Sequence, residues 1–132
     1  MGEEKETEIE QDEVSSLRLK FDDKGLVRFA HFLQLLLEKQ RDISEVIDMM
    51  FQYELKEILD KGATLKPEDE IHLKKSIKDF VYNRITTLKT YRYISTNQKD
   101  YRHKKEWRSR TIYVRNREAL QKIYELILKK IT

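Results

Sequence analysis

Residues 26–37, LVRFAHFLQLLL, constrain the fold more than any other part of the chain, because nine of these twelve residues are apolar. On a helix, Leu26, Val27, Phe29, Ala30, Phe32, Leu33, Leu35, Leu36 and Leu37 leave only a narrow polar stripe of Arg28, His31, Gln34 and Glu38. An apolar arc of that width must be covered on more than one side, so it marks either the central helix of a core or a subunit interface. Asp22 or Asp23 offers an N-cap, and the helix is expected to run to about Lys39. His31 falls on the polar stripe and reads as a surface imidazole rather than a ligand.

Three more helices follow from periodicity and punctuation. Asp42 and Glu45 have capping-box spacing, and Ile43, Val46, Ile47, Met50, Phe51, Leu55, Ile58 and Leu59 recur at threes and fours up to Asp60. Gly62 then supplies the left-handed residue that ends a helix. Pro67 suits a first helical position, Glu68, Asp69 and Glu70 complement the dipole, and one stripe of Leu73, Ile77, Phe80, Val81, Ile85 and Leu88 continues to about Thr90. A last helix from about Asn116 to Ile131 has Leu120, Ile123, Tyr124, Ile127, Leu128 and Ile131 on one face, suited to packing on its own domain or on a symmetry mate.

Extended segments are fewer. Residues 91–95 and 109–114 are rich in aromatic and β-branched residues and read as a hairpin, separated by thirteen residues, TNQKDYRHKKEWR, with no glycine for a tight turn. A connection of that length in a compact domain tends to be functional or mobile. SLRLKF at residues 16–21 alternates in twos, apolar on one face and cationic on the other, as a half-buried strand does. The fold expected is therefore mainly α with a small β component, four helices plus a wing-like hairpin near 91–114, in a single domain spanning 15–132. Residues 1–14 should form an acidic disordered tail, since residues 1–13 carry seven carboxylates against Lys5 and little that is apolar. Its role would be electrostatic, folding back near basic residues or simply solubilising.

What the composition excludes narrows the function. The chain has no cysteine, hence no disulfide framework, thiol nucleophile or thiolate metal site, and it reads as an intracellular, cytoplasmic protein with no apolar run near membrane length. His31, His72 and His103 stand on different elements, and neither a metal-binding spacing nor a glycine-rich phosphate loop occurs. First-turn helix acids account for Glu68, Asp69 and Glu70 without a metal. No enzyme, cofactor or small-molecule substrate is indicated.

Charge supplies the positive indication. Between Arg84 and Arg117 there are eleven cations and only Asp100 and Glu106 as anions, whereas the whole chain carries a net +3. Tyr82, Tyr91, Tyr93, Tyr101, Trp107 and Tyr113 lie among or beside these cations, a combination suited to a polyanion with a phosphate backbone or stackable bases. The alternative is a solvated basic loop whose tyrosines face the core. The candidate binding residues are Arg84, Lys89, Lys99, Arg102, Lys104, Lys105, Trp107, Arg108, Arg110 and Arg115.

The run VYNRITTLKTYRYIS, then the basic loop, RTIYV and NREALQKIYELI resembles the recognition helix, wing and dimerisation helix of the winged helix-turn-helix superfamily, such as the PadR and MarR regulators. This likeness of order and pattern covers about residues 67–131. It implies a homodimeric duplex-DNA-binding transcriptional regulator in which Asn83, Arg84, Thr86, Thr87 and Lys89 face the major groove. Lys99, Arg102, Lys104, Lys105, Arg108 and Arg110 would reach phosphates or the minor groove from the wing. SLRLKF followed by two helices also resembles a ribbon-helix-helix domain, which would give Ser16, Arg18 and Lys20 to the bases and the start of the Ser44 helix to a phosphate. Two readings compete with duplex binding. One is a helical scaffold subunit that uses the apolar faces of the first and last helices, and the other is single-stranded DNA or RNA binding through Tyr101 and Trp107.

Overall fold

The structure, a computed structural model, describes residues 23–97 and 110–131. The acidic tail, the SLRLKF segment and the basic loop from Lys99 to Arg108 lie outside the described residues. The rest forms four helices and a small antiparallel sheet, a mainly α fold with a minor β component. In chain order these are α1 (Asp23–Glu38), β1 (Arg41–Asp42), α2 (Ile43–Asp60), α3 (Pro67–Thr90), β2 (Ile94–Thr96), β3 (Thr111–Val114) and α4 (Arg117–Ile131).

The wide apolar arc of α1 is satisfied inside the chain. Phe29, Phe32 and Leu33 are fully buried, and of the nine apolar residues only Val27 is substantially exposed. α4 covers one side with Leu120, Ile123 and Ile127, while α2 with Val46 and Met50, and α3 with Ile77, Val81 and Leu88, complete the core. Of the two expectations for α1, the central helix is the one observed.

Both α2 and α3 end in the same hydrogen-bonded turn. After α2, Gly62 N–H donates to Leu59 O at 3.0 Å and Ala63 N–H to Ile58 O at 3.2 Å, with Gly62 at φ +81°. After α3, Arg92 N–H donates to Lys89 O at 2.9 Å and Tyr93 N–H to Leu88 O at 3.0 Å, with Arg92 at φ +62°. These are Schellman motifs, in which the residue past the helix adopts the left-handed conformation that glycine takes without strain. α3 itself is one helix of 24 residues, with Pro67 in its first turn and Asp69 accepting from the Lys66 amide.

The sheet has the order β1-β3-β2. Arg41 and Asp42 pair with Ile112 and Thr111, and Ile94, Ser95 and Thr96 pair with Val114, Tyr113 and Ile112. Successive residues face opposite sides of a strand, so buried Ile94 and Ile112 lie on the core face while half-buried Ser95 and Tyr113 lie on the outer one. β1 is not visible in sequence, because two residues cannot show an alternation. Its Arg41 is buried: Nε donates to Leu35 O at 3.0 Å, and the guanidinium meets Glu38 at 2.8 Å and Glu45 at 3.2 Å. It thereby holds the end of α1 against the start of α2. The expected capping box at Asp42 does not form: Asp42 is the N-cap by backbone, but its carboxylate accepts from the Thr111 hydroxyl at 2.9 Å, pinning β1 to β3.

Candidate nucleic-acid interface

Among the described residues from 80 to 117 there are six cations, Arg84, Lys89, Arg92, Arg110, Arg115 and Arg117, and no carboxylate. The fold gathers them at the C-terminal end of α3, the turn that follows, and the hairpin. Their side chains have different surroundings, and these divide the six.

Three cations are displayed. Lys89, in the last turn of α3, is exposed and donates to the Thr96 hydroxyl at 3.2 Å. Arg115 is exposed just past β3, its guanidinium donating to Ser95 Oγ at 2.7 Å and lying 5.6 Å from the centre of the Tyr113 ring. Ser95 and Thr96 are consecutive, so Lys89 and Arg115 approach the edge strand β2 from its two faces. Arg92, exposed in the Schellman turn between α3 and β2, is the third. An arginine in the left-handed position, where Gly62 serves at the matching end of α2, carries a local strain of about 1 kcal/mol. Such strain is characteristic of functional positions. Arg92 is not among the residues expected from sequence, although a signal for it exists: α3 stops at Thr90 with no glycine after it.

Of the other three, Arg84 and Arg110 are half-buried, and Arg117 is exposed but tied to the end of α1. Arg84 was expected to face outward; instead its half-buried guanidinium lies 5.7 Å from the Phe29 ring centre and 5.5 Å from that of Phe80. The aliphatic stem and the planar head both gain from that aromatic pair, which draws the side chain toward the core. Arg110 is half-buried at the start of β3 and its carbonyl accepts from the Ile43 amide at 2.9 Å, joining the root of the basic loop to the start of α2. Arg117 donates to the carbonyl of Leu37 at the end of α1. Lys99, Arg102, Lys104, Lys105, Trp107 and Arg108 lie outside the described residues.

Beside the displayed cations, α3 turns Asn83, Thr86 and Thr90 to solvent on one stripe, opposite buried Val81 and Ile85. Thr87 and Thr90 return their hydroxyls to the carbonyls of Asn83 and Thr86, each at 2.9 Å. Asn83 and Thr86 therefore offer short polar side chains on an exposed helix face. Tyr91 and Tyr93 stack on each other with ring centres 5.6 Å apart, and Tyr93 is buried. This pair braces the turn that carries Arg92.

No family model, curated protein or solved structure matches the chain.

A depression of about 460 Å³ lies between α1 and α2 and is lined by Val27, His31, Tyr53, Glu57 and Ile58 among others. The His31 and Tyr53 rings are 4.5 Å apart. Burial lowers the His31 pKa below 6.5 against the opposing pull of Glu54, Glu38 and Glu57, and a hydrogen bond to Glu57 raises that of the Tyr53 phenol. Among the described residues, no group of three or more His, Asp and Glu side chains is placed to hold a metal ion, and no helix is long and apolar enough to cross a membrane.

Proposed function

We propose that the chain is a duplex DNA-binding protein of the winged helix-turn-helix kind, acting as a transcriptional regulator. The observation that carries this reading is the cluster of exposed cations at the end of α3, where Lys89, Arg92 and Arg115 surround the edge strand of a hairpin whose connecting loop is itself cationic in sequence. The order of a helix, a hairpin and a terminal helix, with β1 from between the first two helices joining the sheet, supports it. In this proposal Asn83 and Thr86 read base edges, Lys89, Arg92 and Arg115 neutralise phosphates, and Lys99, Arg102, Lys104, Lys105, Arg108 and Arg110 contribute from the loop and its root.

The scaffold alternative would use the apolar faces of α1 and α4, and these pack largely on each other. Homodimerisation, which the winged-helix resemblance implies, belongs to the proposal and has its own measurement in sedimentation equilibrium.

The test is duplex binding followed by anisotropy across a salt series. Replacing Lys89, Arg92 and Arg115 together with Ala should weaken binding and flatten the slope of log K against log salt by about 2 to 3, close to 0.9 for each phosphate left without its cation. Lys104, Lys105 and Arg108 changed together to Ala should abolish binding with the far-ultraviolet circular dichroism unchanged. Duplex affinity equal to the parent in both variants would overturn the proposal. Quenching of Trp107 fluorescence by single strands but not by duplex would replace it with single-strand binding.

A further inference from the structure

On the side of α2 and α3 away from α1, the two helices enclose a groove of about 480 Å³. Its apolar surface comes from Ile47, Tyr82 and Ile71, the last of these 69% exposed. Lys74, Lys75 and Lys78 form its wall along α3, and Ser44 places the positive end of α2 at its mouth. Among the described residues the one carboxylate lining it, Asp48, is paired to Lys74 at 3.4 Å, and Lys74 also lies 5.5 Å from the centre of the Phe51 ring. An isoleucine so exposed on a helix, set in a basic furrow, suits an acidic segment that carries an apolar side chain of its own.

The chain contains such a segment. Residues 3–13, EEKETEIEQDE, carry seven carboxylates and one lysine, with Ile9 between Glu8 and Glu10. The nine residues from 14 to 22 join it to α1 and span up to about 30 Å when extended. The first turns of α1 and the far end of α2 border the same depression, which Lys24, Val27, Ile58 and Lys61 help to line. From Ile58 to Ile47 along α2 is about 17 Å, which is shorter than the extended tether. The displayed cations of the hairpin share the charge complementarity, but an isoleucine as exposed as Ile71 beside Lys75 and Lys78 favours the groove as the site.

We propose that the groove between α2 and α3 is a docking site for residues 3–13 of the same chain, with Ile9 seated against Ile47 and Ile71 and the flanking carboxylates facing Lys75 and Lys78. The docking does not depend on duplex binding. The test uses the full chain with Thr7→Cys, which supplies its only thiol, carrying a nitroxide spin label. Amide signals of Ile47, Ile71 and Lys75 should broaden to the same extent at low and high protein concentration. The broadening should fall several-fold in Ile9→Ser and in Lys75→Glu/Lys78→Glu, and it should weaken between about 0.1 and 0.5 M salt as surface charges are screened. Three results would overturn the proposal: groove signals unaffected by the label, broadening that appears only as concentration rises, and broadening centred on Lys89 and Arg115 instead. Loss of duplex affinity in Lys75→Glu/Lys78→Glu with no label effect at the groove would assign the furrow to nucleic acid and likewise overturn it.

Discussion

Arg92 is the residue at which stability and the proposed function pull in different directions. Its counterpart at the end of α2 is Gly62, whose position has nothing within 4 Å of an added Cβ, so the difference between the two turns is conformational strain rather than crowding. Arg92→Gly should therefore stabilise the fold by about 0.5–1 kcal/mol in urea denaturation. It should at the same time weaken duplex binding by the value of one phosphate contact. Stabilisation without loss of affinity would remove Arg92 from the interface. His31 gives a second test at this scale. Because burial lowers its pKa in the folded state, the unfolded chain binds a proton first as pH falls below about 6.5. Stability from this group is complete above that pH and is lost as pH drops toward the folded-state value. Denaturation midpoints of the parent and of His31→Gln, compared at pH 7.5 and pH 5, should show a smaller acid loss in the variant, and equal losses would contradict the assignment.

Elements were legible where the pattern repeats and illegible where it does not. Four helices follow from apolar residues at threes and fours, and their ends fall within a residue or two of Gly62, Pro67 and Asn116 because those residues make the stops and starts. Asn116 Oδ1 accepts from the Ala119 amide at 3.0 Å, so Asn116→Ala should cost about 1 kcal/mol of stability, measured by thermal unfolding. The short strand β1 exists only because β3 offers it a partner, a contact between positions 69 residues apart that no local window contains. The same long-range contact diverted Asp42 from the capping box that its spacing to Glu45 suggested. Of the candidate interface, the concentration of charge was plain in the sequence, but its division was not. Arg84 turns inward only because Phe29, on another helix, stands beside Phe80, and no spacing within α3 announces that.

For the molecule as a whole, α1 is the element on which the others converge, so damage to its contact with α4 should be global. Ile123, 2% exposed against α1, tests this: Ile123→Ala should destabilise by about 2–4 kcal/mol and lower the urea midpoint equally for every spectroscopic probe. Separate transitions for the helices and the sheet would show that the core does not unfold as one unit.

The backbone bond from the Ile43 amide to the Arg110 carbonyl makes the root of the hairpin and the joint between the first two helices mechanically one piece. Anything that grips the loop therefore damps opening at that joint. Deuterium uptake at Ile43 should slow when the loop is occupied.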